Sequence, residues 1–450
     1  MNSFRTFLAL LSLALIVVFS QSSCKKETPL PIVSESLDQV NSQFLTDWYS
    51  TTLSLVPQIN GFSEPVAARA MSIISYTMYE CSAPALTQFR SLQNQVNGLN
   101  TSLPAGEGGL NYHYGIVSNE ALATITEMIF GVAGQESMAK VHAVQAKWQQ
   151  TFSSNIDETV LNNSIDLGRK LAWAIYKYTT TDGQEYAYLK NFPEDYSMPA
   201  KAGMWVPTPP DYSPKPLLPY WGQVRMNAAA NQEIPLTKSL SYSQDPTSVI
   251  YAEANEVFAK TSNLSSETKE LIEYYNKAMD PHASAFCHTS LLMLQLLEQE
   301  KLDYTKTLAA ICRLSWAQHD AYVASFKLKY NHNLLRPSTY IRSHISRFYV
   351  PPVSSSPSPD YVSESAAVYF AASEILSSIF GHRYEFMDYT QNSRTTLRNR
   401  LRHFNSFSEL ATEASYIEIS AGTQFRTSIA AGADLGFDIA KNILNIQLIK

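Results

Sequence analysis

Residues 329–337 read Lys329-Tyr-Asn-His-Asn-Leu-Leu-Arg336-Pro337. They close a stretch, 308–329, in which apolar residues recur at helical spacing and which carries Gln318-His319-Asp320-Ala321-Tyr322. A lysine and an arginine seven residues apart can sit on one side of two helical turns. Both can then face one anion, the arginine as a planar fork and the lysine as a point charge. Taken alone, the pair reads as two solvated charges on a helix face. The residues around it have to decide.

The helical period continues outward. Between 366 and 380, apolar residues fall at Val368, Ala372, Ile375 and Ile379, and 290–300 is rich in strong helix formers. Similar patterns occupy 66–88, 121–130, 164–179, 249–260, 267–278 and 430–448, and no long alternation of period two competes with them. The expected fold class is all-α, with incidental strands at most. Two stretches interrupt it. Between 193 and 219 eight prolines alternate with Tyr196, Trp205 and Tyr212, and Tyr220-Trp221 follows. Proline removes the amide that a helix needs, so this segment reads as a long irregular connection that buries its aromatics against the helical body. A glycan- or peptide-binding surface is the other reading. The second break, 351–359, is Pro-Pro-Val-Ser-Ser-Ser-Pro-Ser-Pro, just before a helix starting near Ser363.

Composition narrows the function classes. With 45% hydrophobic and 16% charged residues, the chain of 450 residues can bury a large core and is not a disordered protein. A net charge of −6 leaves no basic excess to hold a nucleic-acid backbone. Only 16 glycines argue against a tight-turned β-barrel and against a glycine-rich dinucleotide loop.

The N-terminus reads as an address. After Met-Asn-Ser-Phe-Arg comes an apolar run from Phe7 to Phe19, too short to span a bilayer, and then Gln21-Ser22-Ser23-Cys24-Lys25-Lys26. This resembles a bacterial lipoprotein signal, which implies lipidation of Cys24 and a membrane-anchored place in the cell envelope. The organisation expected is a signal at 1–24, an N-terminal helical region at 25–245 containing the connection 193–222, and a C-terminal helical domain at 246–450. Nothing after residue 24 reads as a membrane span. Cys81, Cys287 and Cys312 are an odd set without metal-site spacing, and read as buried free thiols.

Lys329, six residues, Arg336-Pro337 resembles the first signature of the vanadium-dependent haloperoxidase and type 2 phosphatidic acid phosphatase superfamily. Upstream, Pro65-Val-Ala-Ala-Arg69, Ser75-Tyr-Thr-Met-Tyr-Glu80, Arg90-Ser-Leu-Gln-Asn-Gln-Val-Asn-Gly98 and Tyr220-Trp-Gly-Gln-Val-Arg225 also resemble secreted bacterial members. The resemblance covers most of 60–445. It implies a haloperoxidase-like helical bundle with an oxyanion, phosphate or vanadate, held by three cations, a serine and a glycine amide. It also implies two histidines, one as acid–base and one as metal ligand or nucleophile.

Matching the second signature, Pro-Ser-Gly-His, onto Asp360-Tyr361-Val362-Ser363-Glu364-Ser365 keeps the serine as Ser363. Glu364 replaces the glycine and Ser365 the histidine. The third signature, Ser-Arg, five residues, His, falls on Ile417, Glu418 and Gln424, in a register fixed by Glu413-Ala414 and Phe425-Arg426. The pocket this implies holds Lys329 and Arg336 against Glu364 and Glu418, where the family holds a cationic set. Each carboxylate would repel an oxyanion at 4 Å by about 4 kcal/mol at an effective dielectric of 20. The expectation is that Lys329 and Arg336 pair with Glu364 and Glu418, and that the catalytic histidines have no counterpart. His319, His332, His344 and His403 read as satisfied residues rather than displaced catalysts. Two cations in the pocket argue against a divalent metal, so no cofactor is expected. The chain is read as a degenerate member that binds or serves structurally. The alternative is an active haloperoxidase or phosphatase with an altered residue set, which would take vanadate or phosphate.

Overall fold

The computed structural model describes residues 37, 40–86, 88–100, 102–235, 238–276 and 281–449. The signal and Cys24 lie outside them. Fourteen helices are found among the described residues. They are α1 (Gln43–Leu55), α2 (Glu64–Ser82), α3 (Tyr114–Phe130), α4 (Gln135–Phe152), α5 (Glu158–Thr180), α6 (Ala229–Gln232) and α7 (Val249–Ser262). Then follow α8 (Ser266–Tyr274), α9 (Ala285–Glu300), α10 (Tyr304–His332), α11 (Pro337–His344), α12 (Glu364–Phe380), α13 (Phe407–Ala421) and α14 (Arg426–Leu444). Two short strands, β1 (Phe386–Asp388) and β2 (Arg402–Phe404), pair antiparallel with Phe386 opposite Phe404. The fold is all-α.

Many helix starts are written in the chain as capping side chains. Asp157, Ser248, Ser265, Ser284, Asp303, Ser363 and Ser406 each accept a bond from a backbone amide two or three residues on. Proline sets other ends. Helix α2 stops at Ser82 rather than continuing to 88, because Pro84 in the following 3-10 turn has no amide to carry the helical bonding on. Helices α1, α4, α6, α11 and α13 have no counterpart among the stretches read from periodicity.

Helices α2, α3 and α5 pack together in the N-terminal half, and α12, α13 and α14 in the C-terminal half. Helix α10, 29 residues long, packs on both α2 and α12 and so joins the two groups. Two glycines allow close helix contacts. A Cβ on Gly168 of α5 would stand 2.6 Å from the Val117 carbonyl of α3. One on Gly432 of α14 would stand 2.5 Å from the Ser363 carbonyl at the start of α12.

One expectation changes here. The segment Tyr114–Ala133 is long and apolar enough to cross a membrane by length and composition, with mean hydropathy 1.3. It passes that test as a core helix: α3 is covered by α2, α4 and α5.

The proline-containing connection is stitched to the end of α10. The Trp205 amide donates to Asn333 O at 2.7 Å, Leu335 N to Gly203 O at 3.0 Å, and Leu217 N to Pro357 O at 2.7 Å. Trp205 and Trp221 are buried, whereas Tyr212 is 49% exposed. Three strands of irregular chain thereby meet where the motif residues lie.

Candidate functional site

Helix α10 ends at Asn333, whose left-handed backbone (φ 51°) turns the chain while its amide still bonds Lys329 O at 2.8 Å. Lys329 is left on the last turn. Arg336 follows in extended backbone, fixed by Pro337 at the start of α11. The loop 351–362 then folds back so that Asp360 N bonds Leu334 O at 2.8 Å, and Ser363 begins α12. The turn between α13 and α14 brings Glu418, Thr423 and Gln424 to the same place.

The structure therefore brings Arg336, Glu364, Ser365, Glu418 and Gln424 to one cleft, together with Ile417, Thr423, Tyr275 and Tyr369. Its cavity is about 80 Å³. Lys329 lies behind Glu364, fully buried, with Nζ 2.8 Å from Glu364 Oε2. Its other two protons go to Pro359 O at 2.8 Å and Asp360 O at 3.2 Å. An ammonium has three donors, so all are used. Burial pulls the Lys329 pKa below its usual value, while Glu364 beside it works the other way.

The expected Arg336–Glu418 pair does not form. Arg336 is 1% exposed, and its guanidinium faces oxygen atoms of the backbone instead. Nε donates to Ser358 O at 2.9 Å, one terminal nitrogen to Thr423 O at 3.0 Å, and the other to Ser356 O at 3.3 Å and Ser358 Oγ at 3.1 Å. With the Gln424 amide oriented to satisfy both of its ends, its oxygen accepts from Arg336 at 2.7 Å. The five donors of the fork are then all taken. The loop 351–359 supplies three of these acceptors at two serines, because its extended turns leave carbonyls that no helix uses.

Glu418 is held by Ser363, whose hydroxyl donates to Oε2 at 2.9 Å while also capping Ala366 N at 3.2 Å. Ser363 thus serves the helix start and the carboxylate together. Ser365 lines the cleft one residue beyond Glu364.

Asp360 escaped the sequence reading, although it stands three residues before Ser363. It is fully buried, accepts from the Ser428 hydroxyl, and receives the Gln424 amide at 3.1 Å. Burial pushes its carboxyl up to about 7, against the pull of Arg336, Ser428 and Lys329. Among the described residues, two cations therefore meet three carboxyl groups at this site. A titratable residue next to the serine-proline loop was the signal available in the sequence.

The four histidines considered as substitutes are placed elsewhere, and none lines the cleft. His319 Nε2 meets Arg225 O at 3.1 Å, and burial lowers its pKa to about 4. His344 meets the Tyr242 hydroxyl at 3.1 Å, His403 pairs with Glu385 at 2.7 Å, and His332 packs against the Tyr361 ring. A different histidine, His288 on α9, lies behind Tyr369 and was not singled out by any spacing.

Lys329 and Arg336 direct their donors to the chain's own oxygens, and Glu364 and Glu418 stand in the same cleft region. Glutamine at 424 has no titratable nitrogen to bond a metal or attack phosphorus.

Residues 345–448 match the model of the VCPO second helical-bundle domain. No curated protein is similar to the chain at a significant level. Among solved structures, the crystal structure of the first bacterial vanadium-dependent iodoperoxidase superposes with a TM-score of 0.79 at 24% identity. It covers 91% of this chain and 97% of its own. A bacterial vanadium-dependent chloroperoxidase matches at 12% identity, with TM-scores of 0.65 for its holo form and 0.62 for its apo form. Each covers 86% of this chain, and 93% and 95% of its own. Over 91% of its length the chain shares the fold of a vanadium-dependent haloperoxidase, and within it residues 345–448 match the family model of that fold's second helical-bundle domain.

Proposed function

We propose that this protein is a haloperoxidase-like lipoprotein that has exchanged its oxyanion site for an internal polar cluster. Toward vanadate and phosphate it serves as a binding or structural member of the fold, without haloperoxidase or phosphatase turnover. The observation that carries this reading is the donor count at Lys329 and Arg336. Three ammonium and five guanidinium donors all end on protein oxygen atoms. An incoming anion would have to displace these acceptors and approach Glu364 and Glu418. Each step costs energy in a site with little water to screen it.

The anchor on Cys24, and with it a cell-envelope location, belong to the same proposal and rest on the signal-like sequence. Isothermal titration with vanadate tests the site reading, alongside bromide oxidation with peroxide and hydrolysis of a phosphate monoester. No vanadate binding is expected for the natural chain. The quadruple variant Glu364→Gly, Ser365→His, Glu418→Arg, Gln424→His is expected to bind vanadate. Equal affinity in both, or turnover by the natural chain within tenfold of about 10 s⁻¹, would favour an active haloperoxidase or phosphatase.

A further inference from the structure

Behind the cleft lies a second set of titratable groups that the oxyanion reading does not use. Asp388 at the end of β1 has Oδ2 2.7 Å from His288 Nε2, and His288 Nδ1 is 3.0 Å from the Tyr369 hydroxyl. His288 and Asp388 are fully buried, and Tyr369 is 3% exposed, on the wall of the cleft. We propose that Asp388, His288 and Tyr369 form a nucleophilic relay, with Tyr369 able to attack a small uncharged acyl electrophile in the cleft. This rests on the reading that the cleft does not admit anions, and goes beyond it by supplying a different chemistry.

The geometry assigns the roles. Asp388 is kept ionised: burial pushes its carboxyl up, but His288 and the Thr390 bonds outweigh this and hold it at about 2. Tyr274 donates to Oδ2 at 2.9 Å and Thr390 N to Oδ1 at 2.9 Å, which fixes the carboxylate in place. A carboxylate only accepts, so the ring nitrogen that faces it, Nε2, carries a proton, and in the base form of the ring Nδ1 carries none. Nδ1 is then the acceptor, and the Tyr369 O–H points at it. Nucleophile to base and base to orienting acid are both within hydrogen-bond reach, the arrangement by which a weak nucleophile is activated. Burial raises the Tyr369 pKa well above its usual value, so the resting group is a phenol and needs the base.

With an ester, the Tyr369 oxygen forms a bond to the carbonyl carbon and its proton passes to His288 Nδ1. Collapse breaks the bond to the leaving alkoxide, which takes that proton and departs as the alcohol. Water, deprotonated by His288, then adds to the acyl carbon; the bond from that carbon to the Tyr369 oxygen breaks, the phenolate takes the proton back from His288, and the carboxylic acid leaves. Asp388 acts through His288 and is a positioning residue. An uncharged ester fits the site because Glu364 and Glu418 line the same cleft, and about 80 Å³ admits only a small acyl group.

Methanesulfonyl fluoride, small and uncharged as the cleft requires, is the probe, applied to the full chain with peptide mapping by mass spectrometry. Here the phenol oxygen bonds to sulfur and fluoride leaves. The expected result is one dominant adduct at Tyr369, lost in Tyr369→Phe and formed at least about a hundredfold more slowly in His288→Gln, the low end of a general base's contribution. Asp388→Asn should slow it as well. Adducts spread over exposed tyrosines, an adduct at Ser365 instead, or equal labelling rates with and without His288 overturn the relay. If His288→Gln does not fold, the natural chain decides alone, since absence of the Tyr369 adduct defeats the proposal. Vanadate binding is read separately, so failure of the oxyanion reading and failure of the relay can be told apart.

Discussion

Lys329 and Glu364 are a buried ion pair, and the energetics of such pairs are asymmetric. Together the charges roughly offset their desolvation, but removing one leaves the other stranded at a cost of about 3–5 kcal/mol. Lys329→Met and Glu364→Leu should each destabilise strongly in urea unfolding. The double variant should cost clearly less than the sum, because the two touch at 2.8 Å. Strict additivity would show that they act independently. Asp360 makes a different prediction. Burial raises its carboxyl from 3.8 to about 7 in the folded chain. A group raised in this way favours folding fully below its unfolded value, and the contribution is lost as pH rises through about 7. His319 works in the opposite sense at lower pH, so the natural profile mixes effects. The difference between the natural chain and Asp360→Asn isolates the carboxyl: the natural chain should lose stability faster between pH 4 and 7. Parallel melting profiles would exclude a raised pKa at this position.

At the scale of elements, the site depends on how closely α14 approaches α12. Gly432 has no room for a side chain, since a Cβ would meet the Ser363 carbonyl at 2.5 Å. That backbone cannot yield as a flexible side chain would. Gly432→Ala should cost about 1–3 kcal/mol in unfolding measurements and disturb the Ser363 bond to Glu418. Gly131 is the control, with ordinary helical backbone (φ −56°) and nothing within 4 Å of its Cβ position. Its replacement by alanine should stay within about 0.5 kcal/mol. Equal effects at the two sites would defeat the packing argument. This scale also shows what the sequence could tell. Helices α10 and α12 were legible because long apolar stretches kept a helical period. Helix α4 was not, because its residues are largely exposed and few of them are core, so it has little apolar stripe to read. Within the site, motif register was enough to expect residues 364, 365, 418 and 424 in one place, and all four line the cleft. Arg336's carbonyl cage could not, since nothing in a sequence says where a serine-proline loop aims its backbone oxygens. The His288–Asp388 pair spans 100 residues and is created by the β1 hairpin, which periodicity does not anticipate.

At the scale of the whole molecule, the two helical groups joined by α10 form a body that buries its long apolar helix α3, and the membrane attachment proposed above rests on a different agent. The expected agent is Cys24. An apolar run of about 13 residues, too short to span, would direct export. Acyl chains on the cysteine would then supply attachment, at about 0.8 kcal/mol for each buried methylene. One chain holds only marginally, so stable retention requires more than one on the same residue. The natural chain should therefore partition with membranes, and mass spectrometry of its first mature residue should show a lipid-modified cysteine. Cys24→Ser should abolish the modification and move the processed protein to the soluble fraction, with the helical body unchanged in circular dichroism and melting. A mature chain starting elsewhere, or an unmodified Cys24 on a membrane-bound protein, would mean that attachment comes from the folded body. In that case the exposed apolar residues Phe348 and Val350, at 86% and 58% exposure beside the start of the serine-proline loop, would be the place to look for it.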